Sequence, residues 1–223
     1  MRRKEALANG EIYHVFNRSI ADYKVFNDEN DFLRIKRLLQ YFRLENMSIK
    51  FSHFIDQDRV KENGFEEYLS ATCQDKEAIV QIITYCVMPT HLHLILKQTK
   101  DNGVSLFMGN ILNSYARYFN TRHGRKGPLW EGKFKNVHVE SDEQLLHLTR
   151  YVHLNPVTAY LVDKPEKWAT SSYEEYLLKQ DLTKSICSYS DVLKIDPKEY
   201  QKFVDDRIDY QRELALIKNL TID

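Results

Sequence analysis

Two strand-like runs stand almost end to end in the middle of the chain, residues 79–88 and 91–96, with only Pro89 and Thr90 between them. Parallel strands need a crossover of a dozen or more residues, so this closeness favours an antiparallel pair and an antiparallel sheet around it. Within the second run, the His91-Leu92-His93-Leu94-Ile95-Leu96 part of Val87-Met88-Pro89-Thr90-His91-Leu92-His93-Leu94-Ile95-Leu96, successive side chains point to opposite faces. His91 and His93 then share one face, roughly 7 Å apart along the strand, while Leu92, Leu94 and Leu96 face a core. A chain with 8 His in 223 residues produces a His-x-His triplet by chance roughly 0.3 times. The pair therefore becomes a site only if other residues join it. Two imidazoles with no Cys nearby can grip one divalent ion and leave positions open for water or a substrate oxygen, which is the layout of a working site and not of a structural one.

The flanking periodicity fills in the fold. Residues 11–18 read as a first strand, and 28–44, apolar at 32, 35, 38, 39 and 42, as an amphipathic helix with an acidic start. Residues 48–55 read as a second strand, 79–88 as a third and the His run as a fourth. A helix follows over 106–122, stopping at His123-Gly124, and then a basic loop over 124–135 and a strand-forming segment near 134–139. Ser141 caps a further helix with Asp142 and Glu143 in its first turn, and Pro156 is expected to end it at Leu154. This order predicts an α+β fold of the ferredoxin-like (RRM-like) kind, an antiparallel sheet with helices packed on it. The expected organisation is one domain over 1–180 and a C-terminal helical extension over 181–223, with helix near 198–220.

The formal net charge is zero, but its distribution is uneven. Residues 112–138 hold six basic side chains against one acid, Glu131, whereas 163–223 hold ten basic and thirteen acidic ones. In the cationic stretch Arg117, Arg122, Arg125, Lys126, Lys133 and Lys135 are candidates for phosphate contacts, and the interleaved Trp130 and Phe134 for stacking on a base. Cys73, Cys86 and Cys187 are far apart in sequence, which suggests neither a zinc ribbon nor a disulfide framework and fits a reducing cytoplasm. The basic Met1-Arg2-Arg3-Lys4 is followed by polar residues, and no run approaches 18 apolar residues, so neither a signal peptide nor a membrane span is expected. Seven glycines form no phosphate-cradling loop, which argues against a nucleotide cofactor.

On the helix opened by Ser141, residues four apart share a face, which aligns His147, Tyr151 and Asn155. The spacing Tyr-x-x-x-Asn occurs three times, at 13/17, 23/27 and 151/155. In a strand the two residues would stand roughly 13 Å apart, and the pair at 23/27 falls in a loop. Only Tyr151 and Asn155 are on an expected helix, where Asn155 could join His91 and His93 as a ligand while Tyr151 aims its hydroxyl at a phosphate.

Pro89-Thr90-His91-Leu92-His93-Leu94-Ile95, then Gly127-Pro128-Leu129-Trp130-Glu131-Gly132-Lys133-Phe134-Lys135, then Arg150-Tyr151-Val152-His153-Leu154-Asn155-Pro156-Val157, and then Trp168-Ala169-Thr170-Ser171-Ser172-Tyr173 resemble in order and spacing the REP-associated tyrosine transposases. These are a branch of the single-strand DNA transposases among the HUH endonucleases. The opening Tyr13-His14-Val15-Phe16-Asn17-Arg18 is similar too, and the resemblance covers roughly 10–178. It implies that His91 and His93 are the metal-binding pair, Tyr151 the nucleophile and Asn155 the polar residue completing the metal site; Lys133 stands where the family has an arginine. It also implies a substrate of single-stranded DNA carrying a palindromic hairpin, cut and rejoined through a 5′-phosphotyrosine, and a monomer in preference to a dimer. Mixed nitrogen and oxygen ligands with open positions suit Mg²⁺ or Mn²⁺.

Two rivals make different demands. A metal-dependent amidohydrolase on a (β/α)₈ barrel also carries His-x-His at a strand end, but that fold typically needs about 250 residues, and no strand-helix alternation follows His93. A non-catalytic nucleic-acid-binding module with an inert His pair would be indifferent to Tyr151→Phe.

Overall fold

The computed structural model describes residues 7–47, 49–178 and 185–213. Its centre is a four-stranded sheet of β1 (Ile12–Arg18), β2 (Val80–Met88), β3 (His91–Gln98) and β4 (Lys135–Val139) in the order β2-β3-β1-β4. Every pairing is antiparallel. With α1 (Glu29–Phe42) between β1 and β2 and α5 (Gly103–Arg122) between β3 and β4, this is the ferredoxin-like α+β arrangement expected from the sequence.

The alternation in β3 sorts the two faces. Leu92, Leu94 and Leu96 are buried toward α5, and Gln98 on that same face accepts a hydrogen bond from the Val104 amide of α5 at 3.2 Å. The start of α5 approaches the sheet so closely that a Cβ on Gly103 would stand 2.0 Å from the Ile79 carbonyl oxygen, a position only glycine tolerates. Asp28 caps α1 by accepting from the amides of Asn30 and Asp31. Arg122 at the end of α5 then reaches back to Asp28 at 2.6 Å and to the fully buried Asp31 at 2.7 Å, tying the two helices together.

Residues 48–55, expected as a strand, instead contain a short helix, α2 (Phe51–Ile55), followed by α3 (Asp58–Asn63) and α4 (Phe65–Thr72). Their aromatic content suits a strand, but the buried residues are Phe51 and Phe54, three apart, packed on Tyr41 and Phe65. That is helical spacing, and tertiary packing outweighs β-propensity here. Ser48 lies outside the described residues.

The helix opened by Ser141, α6 (Asp142–Thr158), runs past its expected stop at Leu154 with Pro156 inside it. Proline removes the amide that would bond the Val152 carbonyl, and the Asn155 side-chain amide comes to 3.4 Å of that oxygen. This helix covers the other face of the sheet, the one carrying the histidines. Its back is fixed by His153, whose Nδ1 bonds the Tyr200 hydroxyl at 2.7 Å and whose Nε2 bonds Ser172 Oγ at 2.8 Å. Ser172 belongs to a segment that seals the outer edge of β2: the Trp168 indole and the Val87 amide make 2.9 Å bonds across it, and the Ser172 amide bonds the Tyr85 carbonyl. α7 (Tyr173–Leu177) and α8 (Pro197–Asp205) complete the described chain. Tyr200 and Phe203 of α8 pack against α6 and α7, so the described part of 181–223 shares the core of the main domain. The remainder of the helix expected over 198–220 lies partly outside the described residues.

Candidate active site

β3 and α6 bring the nominated residues into one pocket of about 730 Å³, lined among others by His91, His93, Tyr151 and Asn155. The His91 and His93 rings stand 5.1 Å apart and nearly perpendicular, and the Tyr151 ring meets that of His93 edge-on at 5.9 Å. His147, the first member of the helical stripe, bonds Arg150 and packs on Phe203, away from the pocket.

Each strand histidine has one ring nitrogen engaged by the protein. His91 Nδ1 lies 2.9 Å from Thr90 Oγ1, and His93 Nδ1 lies 3.0 Å from Nε2 of a third histidine, His14. In this arrangement Nε2 of both His91 and His93 is left toward the pocket. Burial lowers the pKa of His91 to about 4, with Arg18 adding to the effect. It lowers that of His93 to about 2, with His91, His14 and Arg18 reinforcing it, and that of His14 to about 4. All three imidazoles are neutral at pH 7, the form in which a lone pair is available to a metal. Asn155 donates its amide to the Tyr151 carbonyl at 3.1 Å, so its Oδ1 is the atom without a bond to its own helix. Among the described residues no group of three or more His, Cys, Asp or Glu is arranged as a metal cluster, and any ion here would depend on the two imidazoles and the amide oxygen.

Tyr151 is partly exposed. Burial raises its phenol pKa, and the Arg18 guanidinium pulls it part of the way back.

His14 and Arg18 are the residues that sequence reasoning missed. Both lie on β1, where the register sets Phe16 opposite His93 and Arg18 opposite His91, so His14, Phe16 and Arg18 share the histidine face. Strand alternation alone groups them with one another; only the register groups them with β3.

The basic loop is laid along the end of β1 by bonds from the Ile20 amide to Leu129, from the Glu131 amide to Arg18 and from Asn17 Nδ2 to the Gly132 carbonyl. This brings Lys133 and Lys135 to the pocket wall with Arg18. The other nominated cations and rings are elsewhere. Arg122 is held by Asp28 and Asp31, and Arg125 bonds Asn120 and the Pro128 carbonyl. Trp130 donates to the Leu112 carbonyl at 2.9 Å and packs on Tyr115. Phe134 is half-buried against the core. Lys126 is exposed, and Arg117 faces outward from α5, across the sheet from the pocket.

The sequence pattern of a transposase family, described as "Transposase IS200 like", matches residues 47–155, a span that includes His91, His93 and Tyr151 and ends on Asn155. Over these 109 residues the chain is similar to the IS200-like transposases. A Haemophilus influenzae protein described as a REP-associated tyrosine transposase is 22% identical over 139 residues, 55% of this chain and 78% of that one. A 121-residue stretch is 30% identical to part of an S-adenosylmethionine synthase of Borrelia garinii; it covers 52% of this chain but only 28% of that protein, and so concerns a fragment of it. Among solved structures, a REP-associated tyrosine transposase bound to a REP hairpin superposes with a TM-score of 0.45 at 14% identity, covering 88% of this chain and 96% of that one. No described helix is long and apolar enough to cross a membrane.

Proposed function

We propose that the chain is a tyrosine transposase that cuts and rejoins single-stranded, hairpin-bearing DNA through a covalent phosphotyrosine at Tyr151. The observation that carries this reading is the convergence of a phenol and a carboxamide from α6 on two neutral imidazoles from β3 in one pocket with cations at its wall. The similarity to a protein described as a REP-associated tyrosine transposase supports it.

The donor set fits a divalent ion. Nε2 of His91 and His93 and Oδ1 of Asn155 are the atoms left free by the hydrogen bonds around them, and His14 fixes the ring of His93 as a second-layer partner commonly does. Mg²⁺ or Mn²⁺ held there would supply positive charge to polarise the scissile phosphate and hold it in place.

The protein's own groups do the rest. The Tyr151 oxygen attacks phosphorus and gives up its proton; the bond from phosphorus to the 3′ oxygen breaks, and that oxygen takes up a proton and departs as a free 3′-hydroxyl. The 5′ side of the strand break stays on Tyr151 as a phosphodiester, which stores the bond energy for rejoining to another 3′-hydroxyl without a nucleotide cofactor. A phenol near pKa 10 is a weak nucleophile, so positioning by the pinned helix and the field of Arg18 must carry much of the activation. Arg18 takes the place on β1 of a bidentate phosphate fork that Lys133 cannot provide, while Lys133 and Lys135 offer point charges to neighbouring phosphates.

The test is incubation of wild type and Tyr151→Phe with a labelled hairpin-bearing oligonucleotide, with Mn²⁺ or Mg²⁺ and with chelator, resolved on a denaturing gel. The expected result is a metal-dependent covalent adduct in wild type and none in the variant. DNA binding without adduct or cleavage in either protein would make the chain a non-catalytic binding module.

A further inference from the structure

The imidazoles, the carboxamide and the cations of the Tyr151 pocket all address phosphate oxygens, which carry no sequence information. The two rings that the sequence nominates for a base, Trp130 and Phe134, are packed against the hydrophobic core, and Trp130 is fixed there by its bond to Leu112. Phe16, on the pocket's lining, is a side chain of a different kind.

Alternation along β1 sends Tyr13, Val15 and Asn17 to one face of the sheet and His14, Phe16 and Arg18 to the other. Tyr13 and Val15 belong to the hydrophobic core, whereas among the described residues Phe16 lies outside it, partly exposed on the histidine face. The rings beside it are those of His14 at 5.1 Å and His93 at 5.9 Å, tilted from it by 33° and 29°. Tyr151 of α6 stands edge-on over these two histidines, at 6.2 Å and 5.9 Å. On its other side Phe16 is paired in register with Lys135 of β4, an exposed cation that lines the same pocket. Phe16 therefore sits between the proposed seat of the scissile phosphate and a cation suited to the next phosphate along.

A phenylalanine among imidazoles and ammonium groups buries little apolar area within its own chain, and a base laid on its exposed side would give it the flat, polarisable partner it lacks. Four-stranded sheets of this ferredoxin-like kind stack bases on aromatic side chains, and β1 is an inner strand in the order β2-β3-β1-β4. We propose that Phe16 stacks on a nucleobase flanking the scissile phosphate and so fixes the position at which the strand is cut. This role rests on the reading of Tyr151 as the nucleophile and adds to it the contact that sets the strand's register in the pocket. Every base has a π-face, so the contact selects the place of the cut more than its sequence.

The test measures metal-dependent cleavage of hairpin-bearing oligonucleotides by wild type and Phe16→Leu, with the base on each side of the mapped cut either present or replaced by an abasic residue. Phe16→Leu keeps an apolar side chain without a ring. It is expected to lower kcat/KM on the intact strand by about tenfold to a hundredfold, the loss that removal of one base–aromatic stack produces. Removing the base at one of the two flanking positions should cost wild type a similar factor and cost Phe16→Leu nothing further. Phe16→Tyr, which retains the ring, should stay close to wild type on the intact strand. Mn²⁺ affinity of Phe16→Leu, read by electron paramagnetic resonance, should equal that of wild type, because His14 and not Phe16 bonds the His93 ring. Equal losses on intact and abasic strands, or weakened Mn²⁺ binding, would make Phe16 a brace for His93 and overturn the stack, as would full activity of Phe16→Leu. Wild type that forms no adduct and cuts no strand would overturn the transposase reading itself and the stack with it.

Discussion

His93 and His153 are both buried and neutral at pH 7, with burial lowering their pKa values to about 2 and about 3, yet they face opposite tasks. Both ring nitrogens of His153 are bonded within the protein, to Tyr200 and Ser172. His93 has one nitrogen on His14 and the other toward a pocket. A buried polar group without a partner is costly, so the difference is informative where burial and pKa are not: a histidine with two partners pins structure, and one with a single partner is kept for a ligand. The arginines repeat the contrast. Arg122 has its donors filled by Asp28, Asp31 and Tyr118, while Arg34 is stacked on two rings with its Nε unpartnered.

The largest effects should come from exchanging the two kinds of histidine. His93→Ala is expected to abolish metal binding, followed by Mn²⁺ electron paramagnetic resonance, while leaving the thermal midpoint close to wild type. His153→Ala is expected to do the reverse. It strands the Tyr200 hydroxyl and Ser172 Oγ and opens a cavity behind α6, at a cost of about 3 kcal/mol read by chemical denaturation. Equal destabilisation by the two variants would erase the distinction drawn from their hydrogen bonds.

His14 should stand between these extremes. It touches no phosphate in the proposed chemistry and acts only through the 3.0 Å bond to His93. His14→Ala is expected to weaken Mn²⁺ affinity by about 10-fold to 100-fold, the usual effect of removing a metal ligand's outer partner. His14→Gln, which keeps an acceptor for the His93 N–H, should recover part of it. A variant with unchanged Mn²⁺ affinity would reduce His14 to packing.

How much of this could be read from the sequence follows the same division between local and long-range causes. The paired strands, α1, α5 and the start of α6 are set by periodicity and caps a few residues apart, and His91, His93, Tyr151 and Asn155 were legible because each pair sits within one element. His14 and Arg18 were not, because their membership depends on the β1–β3 register, which no local pattern encodes. Helices α2 to α4 were missed because Phe51 and Phe54 find their partners in Tyr41 and Phe65, outside the segment. Charge counting treated Arg117 and Arg122 alike, although the fold neutralises one and leaves the other facing outward.

The smallest effect tests that last contrast through pH. Hydrogen bonding and attraction from Arg122 lower the Asp28 carboxyl from 3.8 to about 2. A carboxylate whose folded pKa is depressed binds fewer protons in the folded state than in the unfolded one between those values. Its contribution to stability is therefore complete above about pH 4 and is lost as pH falls toward 2. Asp28 also caps α1 through its side-chain oxygen, and asparagine caps as well as aspartate, so Asp28→Asn removes the charge while keeping the cap. The variant is expected to be slightly less stable than wild type at pH 7, and its thermal midpoint should fall less steeply between pH 4 and 2, so that the two curves converge. Parallel curves would mean that Arg122 is not held by Asp28 in solution. Arg122 would then rest on Asp31 and Tyr118 alone, and its contrast with the outward-facing Arg117 would narrow.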